Sequence, residues 1–236
     1  MKRQGYADQT IESRIRILKV LAKRGADLYN PESVKDCIAD RSWSNGKKEL
    51  AEAYNSLAKW LRWEKPVYKR VQKLPFVPLE REIDDLIAGC SRHIAAFLQL
   101  LKETGARASE AFALKWTDVD FEAKTVRITL SKGGEPRLLR ISHKLLEMLN
   151  SLPKTSERIF GHYKNLKQLR KTFERQRRRI AHKLNNLRLK QIHFHTIRHW
   201  KATMERDILH VMKVLGYKNI KNTLIYTHLV ERPKRR

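Results

Sequence analysis

Three cationic side chains in this sequence suit the gripping of a phosphate diester: Arg107 in TGARASE, Arg198 in HTIRHW and Lys132 in SKGGEP. Two guanidiniums with forked donors can clamp nonbridging oxygens and stabilise the added charge of a pentacoordinate transition state. Lysine is a mobile point donor, and Lys132 at a turn suits protonation of a leaving oxygen. His195 precedes Arg198 by three positions. A helix would bring the two to one face, where an imidazole can take or orient a proton. Two tyrosines, Tyr217 and Tyr226, follow in LGYKNIKNTLIYTHL. A phenol attacks at neutral pH only when cations stabilise the phenolate or a base takes its proton. Each residue also has a plainer reading. A single Arg or Lys in a basic chain is most often a surface contact, and a tyrosine most often half-buried core or interface. His193, His195 and His199 suit an interface better than a metal, since neither a cysteine nor a nearby acid joins them.

The chain around these residues is strongly basic. Its 236 residues carry 51 Lys and Arg against 25 Asp and Glu, a formal charge of +26. Solubility alone does not ask for that much, so a polyanion is the expected partner, nucleic acid first. A hydrophobic content of 41% is enough for one large domain or two ordinary ones. Cys37 and Cys90 stand far apart with no CxxC spacing, which supports neither a disulfide framework nor a zinc finger. There is no run of 18 or more apolar residues, and MKRQGYADQTIESR lacks the apolar core of a signal peptide. A cytoplasmic protein is expected. A membrane-surface protein would want a basic amphipathic helix with bulky apolar residues or a lipidation site, and neither is found.

The elements that must position the candidates are mainly helical. TIESRIRILKVLAKRG sets Ile11, Ile15, Leu18 and Leu21 at helical spacing and closes on Gly25. PESVKDCIADRSW predicts a shorter helix. A third is expected from Ser44 as N-cap to just before Pro66, with Leu50, Tyr54, Leu57 and Leu61 on one face. Pro75 and Pro78 then break the pattern, which places a domain boundary near residue 75. EIDDLIAGCSRHIAAFLQLLKETG predicts one helix ending at Gly105, and ASEAFALKW starts another. Val126, Ile128 and Leu130 alternate with polar residues, SKGGEP turns, and Leu139 and Ile141 resume the alternation, so a β-hairpin carries Lys132 at its turn. The rest is helical. The fold class expected is mainly α with a small antiparallel β-sheet (α+β). Residues 164 to 190 hold eleven Lys or Arg and one Glu, or 11 − 1 = +10. Leu166, Leu169 and Phe173 run beneath that charge, so one helix can dock on its domain and face a phosphate backbone with Lys171, Arg175, Arg178 and Arg179.

Four segments in order, spread over residues 104 to 229, resemble the boxes of the tyrosine recombinase (integrase) family, which includes Xer-type and archaeal integrases. TGARASEAFALKWTDVDF resembles the first-arginine box with Arg107. SKGGEPRLLRIS resembles the hairpin box with Lys132, and HTIRHWKAT the His-x-x-Arg box with His195 and Arg198. LGYKNIKNTLIYTHL resembles the last box, which puts Tyr226 at the nucleophile position. The resemblance implies a helical core-binding domain over residues 1–74 and a catalytic domain over 75–236, closing as a C-shaped clamp on double-stranded DNA. It implies that Tyr226 attacks a scissile phosphate to leave a 3′-phosphotyrosine and a free 5′-hydroxyl. Arg107 and Arg198 hold the phosphate, Lys132 protonates the leaving oxygen and His195 assists proton transfer. Neither a metal nor a nucleotide cofactor is implied, and a homotetramer on two DNA sites is.

The sequence departs from the family in two places. Tyr217 stands where the family has histidine or sometimes tryptophan; a phenol still donates a hydrogen bond to a phosphate oxygen, though a charge-assisted one would be stronger. HWKATMERDILHVMKV, between Arg198 and Leu215, is about one helical turn shorter than usual. Only THLVERPKRR follows Tyr226, from which weaker assembly is expected. Two alternatives stay open: a DNA-binding relative with impaired catalysis, and a general basic nucleic-acid binder.

Overall fold

The computed structural model describes residues 1, 5–40, 46–58, 61, 63–68, 75–129, 136–205 and 208–216. The chain divides into two compact units, Met1–Lys73 and Leu74–Arg236.

In the first unit, α1 (Asp8–Lys23), α2 (Pro31–Ala39) and α3 (Lys47–Asn55) surround a core of Leu18, Leu21, Val34, Ile38, Leu50 and Tyr54. Gly25 ends α1 in the left-handed region at φ +88°. Its N–H reaches the Ala22 carbonyl and that of Ala26 reaches Leu21, the paired bonds that close a helix through a left-handed residue. The Asn30 side chain caps α2 by accepting from the Glu32 and Ser33 N–H groups. Two expectations are corrected. Ile15 is 42% exposed, because the inward stripe of α1 runs along Arg14, Ile17, Leu18 and Leu21. The third helix starts after Gly46 rather than Ser44 and stops at Asn55, well short of Pro66. Its end coincides with the Ser56 hydroxyl donating to the Ala53 carbonyl at 2.6 Å, a side-chain bond that competes with helical continuation. The chain then turns back, leaving Leu57 exposed and setting Trp63 edge-on to Tyr54 at 4.5 Å.

The second unit runs α4 (Glu80–Gly89), α5 (Arg92–Thr104), α6 (Ala108–Ala113), a 3-10 turn (Trp116–Asp118), β1 (Val119–Asp120), β2 (Thr125–Ile128), β3 (Arg137–Arg140), α7 (His143–Asn150), α8 (Leu166–Lys183), a second 3-10 turn (Leu187–Gln191), α9 (Phe194–Met204) and α10 (Ile208–Leu215). The sheet is antiparallel in the order β1-β2-β3, with Val126 opposite Leu139 and Ile128 opposite Arg137. The fold is thus mainly α with a small antiparallel sheet.

The single helix expected before Gly105 is two, α4 and α5. Cys90 is extended (φ −86°, ψ 161°), and α8 secures the break. Arg179 donates to the Gly89 carbonyl at 3.2 Å, and the Gln176 amide bonds both the N–H and the hydroxyl of Ser91. A Cβ on Gly89 would lie 2.8 Å from Ile180, so the crossing of α4 and α8 needs a glycine there.

Helix α5 is buried nearly all round, which marks it as the central element of its unit. Phe97 on α5 meets Phe160 and Phe194 edge-on at 4.9 and 5.0 Å, and Phe194 stacks on Phe173 of α8 at 4.9 Å. This aromatic cluster fixes the first turn of α9. Phe97→Ala is expected to cost about 3–5 kcal/mol, read as a lower midpoint in urea unfolding.

Candidate active site

The site is assembled where α5, α6, β3, α9 and α10 end or begin. Helix α5 closes on Gly105 in the left-handed region at φ +61°. Two residues on, Arg107 is the N-cap of α6; its N–H donates to Glu110 Oε2 at 3.0 Å and its guanidinium to Oε1 at 2.7 Å. The Glu110 side chain is fully buried, while that of Arg107 keeps 30% of its surface open. Arg137, the first residue of β3, reaches the same carboxylate, Nη2 to Oε2 at 2.8 Å. Its Nη1 donates to the carbonyl of Leu215, the last residue of α10.

Arg198 on α9 is 1% exposed. Its Nη1 donates to the Gly105 carbonyl at 2.6 Å and its Nη2 to the Leu215 carbonyl at 2.8 Å. Both acceptors sit at helix C-termini, where unpaired carbonyls carry partial negative charge. The ends of α5 and α10 thereby stabilise a buried cation. Two glycines permit this approach. A Cβ on Gly105 would lie 2.6 Å from Leu215 Cδ2, and one on Gly216, itself at φ +65°, would lie 2.1 Å from Arg137 Nη1.

Three guanidiniums and one carboxylate leave this centre at 3 − 1 = +2 by count, from Arg107, Arg137, Arg198 and Glu110. Burial opposes the Glu110 charge, but the Arg107 N–H and guanidinium and the Arg137 charge outweigh it and hold the carboxyl below its usual range. Burial lowers Arg137, with Glu110 opposing that shift.

His195 and Arg198 share α9, which starts when the His193 N–H donates to the Thr196 hydroxyl at 2.8 Å. The His195 ring meets His199 edge-on at 4.3 Å. Desolvation, then Arg198 and Arg107, lowers the His195 pKa, although the residue as a whole stays exposed, so the fixed cations are the part of that shift that survives solvent. Burial, then His195 and Arg198, takes His199 down to about 4. His199 is therefore neutral at pH 7, and the shift of His195 favours its neutral form. Among the described residues no group of three His, Cys, Asp or Glu could hold a metal ion, and no helix is long and apolar enough to cross a membrane.

Of the sequence candidates, the structure brings Arg107, His195 and Arg198 into one centre. Lys132, Tyr217 and Tyr226 lie outside the described residues. Lys171, Arg175, Arg178 and Arg179 are exposed on α8, and Arg179 also holds the α4 terminus. Three residues escaped the sequence reading. Glu110 had a signal, since three positions beyond an N-cap is where an acid reaches back to the cap. Arg137 shares strand parity with Leu139 and Ile141, which places it on the inward face. Arg177 was counted in the charge run but lies on the buried stripe with Phe173 and Ile180; it donates to the Ile192 carbonyl and contacts His193 Nδ1 at 3.0 Å, bracing the entry to α9. Met204 and Ile208 leave three residues between α9 and α10.

Because the folded chain holds His195 and His199 below the ordinary value of 6.5, the unfolded chain binds more protons as pH falls through that range. The part of the stability that comes from His199 is then fully present above pH 6.5 and declines toward pH 4, by on the order of 1–3 kcal/mol. Urea midpoints measured from pH 7.5 to 4.5 should fall, and His199→Phe should flatten the decline.

Residues 79–232 match the sequence model of the phage integrase family. The tyrosine recombinase XerA of Saccharolobus solfataricus is 27% identical over 188 residues, which is 75% of this chain and 61% of that protein's length. The chain therefore spans about three fifths of the length of that curated relative. Among solved structures, the catalytic domain of bacteriophage HP1 integrase matches with a TM-score of 0.51 at 28% identity, covering 66% of this chain and 89% of its own. A lambda integrase dimer bound to a COC′ core site matches the fold with a TM-score of 0.72 at 13% identity, covering 98% of this chain and 75% of its own.

Proposed function

The chain belongs to the phage integrase family, and from that premise we propose that it is a site-specific DNA recombinase that cuts and rejoins strands through a 3′-phosphotyrosine. The observation that supports this reading is the gathering of Arg107 and Arg198 from distant segments into one centre of net positive charge beside His195.

The scissile phosphate binds against Arg107 and Arg198, whose donors strengthen as charge builds on its oxygens. The Tyr226 phenol attacks phosphorus, its proton passing toward His195. The bond to the 5′-oxygen breaks, and Lys132 protonates that oxygen. The products are a phosphotyrosine and a free 5′-hydroxyl, with one phosphodiester exchanged for another. An incoming 5′-hydroxyl reverses the attack and restores the tyrosine, so no nucleotide or metal cofactor is required. A bound phosphate adds negative charge beside His195 and raises its proton affinity as the proton arrives. Tyr217 donates a further hydrogen bond to the phosphate. The partner is duplex DNA, with Lys171, Arg175, Arg178 and Arg179 tracking its backbone. Four protomers assemble on two sites, in the cytoplasm where the DNA lies.

Incubation with a nicked duplex carrying the target site should trap a covalent protein–DNA band. Tyr226→Phe should abolish it, Tyr217→Phe should weaken it, and Arg107→Ala should slow it about 10²- to 10³-fold. A band that persists in Tyr226→Phe rules out this nucleophile. A wild-type chain that binds the site yet never forms the band is a DNA-binding relative without cleavage. Separately, replacing Lys171, Arg175 and Arg178 with alanine should reduce the slope of log affinity against log salt by up to about 3.

A further inference from the structure

Two acceptors in the centre are shared. Glu110 takes bonds from Arg107 (2.7 Å, Oε1) and Arg137 (2.8 Å, Oε2), and the Leu215 carbonyl takes bonds from Arg137 and Arg198 (2.8 Å). The result is a continuous relay: Arg107, Glu110, Arg137, the Leu215 carbonyl, Arg198. Arg137 is its middle member. It is 6% exposed and points inward from β3. We propose that Arg137 is a positioning residue of the phosphate clamp, setting Arg107 through Glu110 and Arg198 through the Leu215 carbonyl so that the two guanidiniums close on one phosphate.

The chemistry asks for arginine in particular. Its planar fork sends Nη2 to the carboxylate and Nη1 to the carbonyl at once, whereas a lysine of similar reach is a point donor on a flexible stem. Gly216 is part of the same fit, because any side chain there would collide with Arg137 Nη1. Charge balance alone does not explain the geometry. Glu110 already has Arg107 as a partner through both its N–H and its side chain, and the Leu215 carbonyl already has Arg198. What Arg137 adds is a fixed separation between them. The relay also anchors the last residue of α10, from which the segment bearing Tyr217 and Tyr226 continues. A misplacement of about 1 Å at such a clamp is costly to a reacting geometry.

The inference rests on the recombinase reading, and its test separates the two without requiring the target DNA. Inorganic phosphate is titrated into the whole chain at pH 7 while the ¹⁵N-labelled imidazole signals of His195 and His199 are followed by NMR, for wild type, Arg137→Lys and Arg137→Met. Thermal melting of each variant runs alongside. Wild type should show saturable shifts at both rings. Arg137→Lys, which keeps the charge and remains folded, should bind phosphate about tenfold more weakly with smaller shifts, and Arg137→Met should do the same where it folds. A purely structural arginine would lower the melting temperature while the folded protein kept wild-type phosphate affinity; that outcome, or Arg137→Lys binding within twofold of wild type, overturns the positioning role. No saturable shift in wild type itself means that the centre is not a phosphate clamp in the free chain and overturns the inference, while the recombinase reading is decided by the covalent protein–DNA band.

Discussion

The Arg198 guanidinium is almost sealed from solvent between the carbonyls of Gly105 and Leu215, and much of the second unit is arranged around keeping it there. A buried cation is costly unless its donors are met. Here they are met by the carbonyl ends of two helices, α5 and α10, which the fold must deliver to the same point from opposite directions in the sequence. That requirement explains the left-handed glycine closing α5 and the glycine following α10. It also explains the aromatic packing of Phe97, Phe160, Phe173 and Phe194, which sets α9 against α5.

Glu110 supplies the balancing charge. With three guanidiniums close together, a carboxylate shared by Arg107 and Arg137 lowers their mutual repulsion while leaving a positive remainder for a ligand. Arg107 is the open member of the set and Arg198 the sealed one. The centre thus combines one partly open arginine with one held against backbone carbonyls. Arg177 repeats the same device nearby, bracing the start of α9 from the underside of a helix whose outer face is densely basic.

The sequence made the chemistry legible where a residue type and its spacing were both informative. Arg107, His195 and Arg198 stood out because each sits in a short motif whose neighbours also fit, and the structure gathers all three. The hairpin and the helical stop at Gly105 followed from local pattern alone. What stayed hidden was charge used as core. Composition gives an arginine no address; only strand parity for Arg137 and the helical stripe of Leu169, Phe173 and Ile180 for Arg177 place them inside. The break between α4 and α5 was equally hidden, since the apolar spacing continues across it and the cause lies about 90 residues away in Gln176 and Arg179. In the first unit, Ile15 and Leu57 matched a helical face by spacing, but their helices turn or end so as to leave them in solvent.

In the proposed reaction the cationic centre makes the Tyr226 phenol attack a DNA phosphate. The most direct measurement is tandem mass spectrometry of the covalent protein–DNA complex after nuclease trimming and tryptic digestion. Lys218 and Lys221 place Tyr217 and Tyr226 on separate tryptic peptides. A residual nucleotide phosphate on Tyr226 is the expected result. A nucleotide found on Tyr217, or on any residue other than Tyr226, would contradict it.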